Sequence, residues 1–227
     1  MRTSLLASCS RPQDGPLNAS KFSGAPFLPS GSKWPACQNC GKPMQLFLQL
    51  NPSELPEQVT SPWGEGLLQF FYCTNSEPLC EVDCEAFFPF SKSTLLRIVS
   101  AEGKSEAVDS SAVLNGFPPK LIVGWKVDHD LPNWEELRSL GVELTDEESE
   151  ELSEKGFPRS GEKLLGWPAW VQGVEYPQCP ECGSQMRLVF QIDSSGHLPY
   201  MFGDVGCGHI SQCAIHPSNL AFGWACG

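Results

Sequence analysis

The sequence predicts a β-rich α+β fold made of two matching, pseudo-symmetric halves, each with a zinc-ribbon-like four-cysteine knuckle. Three observations carry that prediction. The first is an internal duplication: WPACQNCGKPMQLFLQL at 34–50 is answered 142 residues later by YPQCPECGSQMRLVFQI at 176–192. Aligning 21–50 with 163–192 needs no gap. Eleven of the thirty positions are identical: Lys21, Gly24, Pro26, Gly31, Pro35, Cys37, Cys40, Gly41, Met44, Leu46 and Gln49 all recur at +142, where ordinary composition gives about two matches. The second is a content of 21 Gly and 20 Pro against 19% charged residues, which favours short strands joined by turns. The third is a set of 11 cysteines that includes two Cys-x2-Cys pairs.

Element by element, residues 1–20 mix Ser, Pro, Asp and Asn without periodicity, and read as a flexible lead-in. A single duplicated domain is expected over 21–227, with a first half at 21–127, a helical connection at 128–160 and a second half at 161–227. In the first half MQLFLQL (44–50), GLLQFFYC (66–73), LLRIVS (95–100) and LIVGWKV (121–127) are short apolar runs bounded by turn formers, as strands are. In the connection, PNWEELRSL opens on Pro132, places Leu131, Trp134, Leu137 and Leu140 at three-residue steps, and stops at Gly141. Thr145 with Glu148 fits a capping box, and Asp146, Glu147 and Glu148 suit the positive end of a second helix. The second half then repeats the apolar runs of the first, with a Gly-rich MFGDVGCGH and a closing LAFGWACG.

The cysteines point to metal. Without a secretion signal, an odd number of cysteines arranged around Cys-x2-Cys-Gly knuckles reads as a metal framework, since cytosolic thiols stay reduced. Each knuckle supplies two thiolates across a turn that benefits from the glycine. The repeat suggests the rest: Cys84 plus 142 is Cys226, and Cys73 and Cys213 end matching strands with a shift of two. The expected quartets are Cys37, Cys40, Cys73, Cys84 and Cys179, Cys182, Cys213, Cys226, two closed shells for two structural zinc ions. Cys80 competes with Cys84, and His216 competes with Cys213 or Cys226, and the spacing of the repeat favours Cys84 and Cys213. Cys9 and Cys207 are left over, and His129, His197 and His209 show no ligand spacing. The tryptophans read as core or as lids over the knuckles, with Trp167 and Trp170 a candidate interface pair.

Charge narrows the partners. A net charge of −12 argues against nucleic acid, whose phosphates require a basic face, and for a basic protein partner. No run approaches the roughly 18 apolar residues of a membrane span, and MRTSLLASCS is too short in apolar residues for a secretory segment. A soluble cytoplasmic protein is expected, with the nucleus also open. The run TDEESEELSEK is a solvated helix face or a recognition surface for that partner. No convincing set of nucleophile, base and oxyanion donor is present, so the expectation is a non-catalytic interaction or chaperone-like module. The alternative is an enzyme with a cleft between the halves, for which Asp204, His209 and Asp193 are the available polar cluster. A thiol oxidoreductase is a third reading, disfavoured by the further cysteines of each repeat.

The order GAPFLPSGSKWPACQNC, MQLFLQLN, GEGLLQFFYC, GEKLLGWPAWVQ, GDVG and a terminal Trp-x-Cys resembles the YwqG-like family of domains of unknown function from about Gly24 onward. That resemblance implies one α+β domain formed by duplication, and no established activity. Many members lack the cysteine knuckles, so the metal reading rests on this sequence. The Gly-x-Pro, Cys-x2-Cys and Leu-x-Gln or Phe-x-Gln elements are also similar to programmed cell death protein 2 and its relatives. That likeness implies chaperoning of a newly made ribosomal protein of the small subunit.

Overall fold

The fold is taken from a computed structural model, which describes residues 1–103, 105, 113 and 116–227. Among the described residues ten strands form one antiparallel sheet: β1 (Arg2–Pro12), β2 (Lys21–Phe22), β3 (Gln45–Leu50), β4 (Leu67–Tyr72), β5 (Thr94–Val99), β6 (Lys120–Asp130), β7 (Lys163–Leu165), β8 (Arg187–Asp193), β9 (Cys207–Gln212) and β10 (Leu220–Ala225). Their spatial order is β10-β9-β8-β7-β1-β6-β2-β3-β4-β5. The two edges, β5 and β10, come together, so the sheet is nearly a closed barrel. Closure leaves little free edge to recruit other chains.

The order is the same read from either end. From the centre outward β6 is followed by β2, β3, β4 and β5, and β1 by β7, β8, β9 and β10. Each leading strand therefore pairs with the strands that follow the other: β1 lies between β6 and β7, and β6 between β1 and β2. The expectation of a flexible segment over residues 1–20 is corrected here. Ser and Thr alternate with few apolar residues in β1, so its hydrophobic signal is weak, yet its backbone is paired on both sides and Leu5 is fully buried. Tertiary pairing overrides composition at this strand.

Elsewhere local pattern and structure agree. β3, β4, β5 and β6 fall on the four apolar runs of the first half. The connection holds helices at Trp134–Ser139 and Asp146–Glu154, the second opened by the Thr145–Glu148 capping box. A short helix at Cys80–Asp83, which the sequence did not announce, is α1, so these two are α2 and α3. Among the described residues no helix is long and apolar enough to cross a membrane.

The barrel interior is aromatic. Phe22, Phe47, Phe70, Tyr72, Phe190, Phe202 and Phe222 are buried in one cluster with Leu5, Leu48 and Leu68. Phe70 and Phe222 meet at 4.3 Å between ring centroids, which packs β4 against β10 across the closure. Each such side chain contributes about 1.5–3 kcal/mol by leaving water.

On the opposite face, buried glutamines tie the segments that cover the sheet. Gln49 Oε1 accepts from Phe27 N at 2.9 Å, while its Nε2 donates to the carbonyls of Leu17 and Ala19. Gln191 does the same 142 residues later, accepting from Ala169 N at 2.8 Å and donating to the carbonyls of Arg159 and Gly161. Two buried lysines sit beside them, Lys21 paired with Asp14 at 2.6 Å and Lys163 with Asp130 at 2.8 Å. These side chains satisfy backbone groups that would otherwise be stranded beneath a covering loop.

Candidate metal centres

Each knuckle is a tight turn. Cys37 N donates to Lys42 O at 2.9 Å and Gly41 N to Cys37 O at 2.9 Å; Cys179 N donates to Ser184 O at 2.9 Å and Gly183 N to Cys179 O at 2.8 Å. Gly41 and Gly183 stand at φ of 69° and 67°, the left-handed region in which a side chain is disfavoured. This explains why glycine follows the second cysteine in both.

In the first centre the turn brings Cys37 and Cys40 to Cys73, which directly follows β4, and to Cys80, the first residue of α1. All four sulfurs lie within 4.8 Å of one another. Cys37 and Cys80 are 4.0 Å apart and Cys40 and Cys73 3.8 Å, Sγ to Sγ. These thiols are free of disulfides. A tetrahedral ion about 2.3 Å from each sulfur needs separations of about 3.8 Å, so the cluster fits one. Met44, Leu46 and Phe71 pack around it, and Cys37, Cys73 and Cys80 are buried. Asn39 Nδ2 donates to Cys80 Sγ at 3.4 Å. Burial nevertheless dominates, pushing the Cys80 thiol up to about 11 and the Cys73 thiol also upward. Bound cations reverse such shifts by deprotonating the thiols they hold. Trp34 donates from Nε1 to Met44 O at 2.8 Å and meets the Phe71 ring edge-on, both residues that pack around the cysteines.

The second centre joins Cys179, Cys182, Cys213 and His216, again within 4.8 Å of one another. Cys182 and Cys213 are 3.7 Å apart, and His216 Nδ1 lies 3.7 Å from Cys179 Sγ and 4.0 Å from Cys213 Sγ. The other ring nitrogen, Nε2, faces Glu181 Oε2 at 3.6 Å, the kind of outer carboxylate that orients a ligating imidazole. Asn219 Nδ2 donates to both Cys179 Sγ (3.2 Å) and Glu181 Oε1 (2.8 Å). Burial opposes ionisation of Cys179, but backbone hydrogen bonds from Cys182 and Glu181 and the Asn219 amide outweigh it and bring the thiol down to about 6. This centre is more open than the first, with Cys182 exposed and His216 half-buried, while Cys179 and Cys213 are buried.

Six of the eight expected ligands are thus brought together, and two are not. Cys84 caps α1 one turn beyond Cys80, where its carbonyl accepts from Ser91 Oγ. Cys226 follows β10 and packs against Gly203. Cys80 and His216 take the fourth positions. Comparing strand starts explains the correction: β2 to β7 is 163 − 21 = 142, β3 to β8 is 187 − 45 = 142, β4 to β9 is 207 − 67 = 140, and β5 to β10 is 220 − 94 = 126. The shift of two that relates Cys73 to Cys213 is the β4 to β9 offset. The constant offset that linked Cys84 to Cys226 no longer holds at that point of the chain. Asn39 and Asn219, which donate to sulfur, and Glu181, which faces the His216 ring, were missed by sequence reasoning, because no spacing marks such contacts.

The remaining candidates have other surroundings. Asp193 accepts from Ser195 N and Oγ, Asp204 is exposed, and His209 is buried on β9 with its ring 4.7 Å from that of Trp170. Cys9 lies in β1, and Cys207 is buried 3.7 Å from His209 Nε2. Trp167 is buried beneath the Arg2 guanidinium, so it offers no exposed pair with Trp170.

The sequence profile of a family described as a domain of unknown function, DUF1963, matches residues 20–222, and the chain belongs to that family. No curated protein matches the chain closely enough to count as a relative.

Proposed function

We propose that this protein is a non-catalytic, zinc-stabilised interaction module that engages a basic protein partner. The observation that carries the reading is the pair of four-ligand clusters at matching places in the two halves, each filled by soft thiolate or imidazole donors. Seven sulfurs and one imidazole in four-coordinate sets suit Zn²⁺ over hard cations. Four protein ligands leave no open coordination position for substrate, which is the signature of structural metal. The knuckle repeat and the mirrored strand order support an origin by duplication, and the resemblance to YwqG-like domains is consistent with it.

The partner is argued from charge. The chain carries −12, and Glu147, Glu150 and Glu154 are exposed on α3. Such a field speeds encounter with a Lys/Arg-rich surface and weakens with salt. A chaperone-like role toward a basic protein, of the kind the likeness to programmed cell death protein 2 implies, agrees with this.

Elemental analysis of protein purified without added metal tests the first part, with two zinc per chain expected and a ratio near zero overturning it. Affinity capture followed by association kinetics tests the second. Reversing Glu147, Glu150 and Glu154 to Lys slows association with the captured basic partner and flattens its salt dependence. Neutral or acidic partners, or unchanged kinetics, defeat it. Glu148 and Glu151 are left intact because Glu148 closes the α3 capping box and Glu151 pairs with Lys155 at 2.5 Å.

A further inference from the structure

A cavity of about 330 Å³ opens beside β10, between the loop that follows α1 and the segment that leads into the second knuckle. Its walls include Phe87, Phe88, Trp170, Tyr176 and Trp224, with Glu175 on the rim and the buried His209 below. The rings stand in two nearly perpendicular pairs. Trp170 and Tyr176 meet at 82° with centroids 4.9 Å apart, and Phe87 and Trp224 at 83° with centroids 5.9 Å apart. Five aromatic side chains thus line one space, the composition that attracts a cation.

The polar groups select which cation. Trp170 Nε1 donates to Glu136 Oε2 at 3.3 Å and Tyr176 Oη donates to Glu136 Oε1. Both oxygens of this carboxylate are therefore engaged by the cage's own walls. It adds negative field without offering a free acceptor. Among the described residues the lining holds no Lys or Arg; Arg2, outside it, stacks on Trp167 at 3.3 Å, and its charge also acts on Glu136 and Tyr176. A bare ammonium would lose more water here than the rim carboxylate of Glu175 replaces, whereas an alkylated ammonium carries few or no N–H donors to satisfy.

We propose that this cavity is an aromatic cage for an alkylated ammonium group, the side chain of a methylated lysine on a protein partner. Phe88, 54% exposed at the mouth, gives the flanking residues of such a partner an apolar landing. The proposal rests on the reading of a basic protein partner and names the chemistry of one of its contacts.

The test uses the full chain with its metal content verified. Calorimetric titration compares choline with its neutral isostere 3,3-dimethylbutan-1-ol, and a basic peptide bearing trimethyl-lysine with the same peptide unmodified. Choline binds at least about tenfold tighter than the isostere, as a desolvated cation–π contact requires, and the methylated peptide binds tighter than both choline and the unmodified peptide. Trp224→Ala and Tyr176→Ala abolish binding, Glu175→Gln weakens it a few-fold, and Tyr176→Phe, which keeps the ring, retains most of it. Should Trp224→Ala not fold, Phe88→Ala, at an exposed position, still weakens the peptide several-fold. Equal binding of choline and the isostere overturns the cage. Binding of choline with exclusion of the methylated peptide overturns its assignment to a protein side chain. Either failure, alongside slowed association on reversal of the α3 charges, removes the cage and leaves the basic-partner reading standing.

Discussion

The two halves of the molecule share a plan and differ in how much chain they spend on closing it. Between β4 and β5 lie residues 73–93, 21 in number, enough to form α1 and bury a four-thiol centre under it. Between β9 and β10 lie residues 213–219, only 7, and the turn offers a histidine three residues after its cysteine. The knuckles and the strands β2 and β3 superimpose in sequence on β7 and β8, while the fourth donor follows loop length. A metal site of this kind needs a donor atom at a point in space, and any residue that the local loop delivers there will serve.

The largest expected effects come from the fourth ligands themselves. Cys80→Ser removes one equivalent of metal and more than about 4 kcal/mol of stability, whereas Cys84→Ser stays within about 1 kcal/mol. His216→Ala likewise strips the second centre, and Cys226→Ser does not. Elemental analysis with thermal melts decides both pairs, and a costly Cys84 or Cys226 would restore the constant offset as the guide to ligands.

A second contrast concerns the buried lysines. Lys163 and Asp130 are both fully buried, while Asp14, the partner of Lys21, is 38% exposed. Lys163→Met leaves a carboxylate stranded and costs about 3–5 kcal/mol. Lys21→Met costs less, because Asp14 can rehydrate. Equal losses in denaturant titrations would show that exposure of the acid does not matter.

His209 provides the third. It occupies on β9 the place that Gln69 holds on β4, each opposite the repeated glutamine of its half, Gln191 or Gln49. Gln69 is fully engaged, donating to Phe27 O and Gln49 Oε1 and accepting from Arg97. His209 is held neutral instead, chiefly by burial and secondarily by the Lys163 charge, with its pKa depressed to about 3. The unfolded chain takes up a proton below about pH 6.5 that the folded chain refuses, so stability is lost as pH falls below that value. Between pH 6.5 and 5 this amounts to about 2 kcal/mol. His209→Gln, compared with the parent across that range, loses about that much less. An identical pH dependence would mean that the ring is protonated in the fold.

The smallest effect lies outside both halves. Thr145→Ala removes the α3 cap and costs about 1 kcal/mol or less, visible as faster amide exchange at the helix start with the barrel unchanged.

The sequence alone determined the β-rich class, the four strands of the first half, both connecting helices and six of the eight side chains in the candidate metal centres. Those features are local: apolar runs, a capping box, a Cys-x2-Cys turn that needs its glycine, and a repeat whose offset holds through β3 and β8. What only the tertiary structure decided is non-local. β1 is a strand because β6 and β7 flank it, although its own residues carry little hydrophobic signal. Cys80 displaced Cys84, and His216 displaced Cys226, because a centre is completed by whichever donor the loop brings within reach. The aromatic cage likewise draws Phe87, Trp170 and Trp224 from three distant stretches, which become neighbours only when β5 and β10 meet and close the sheet.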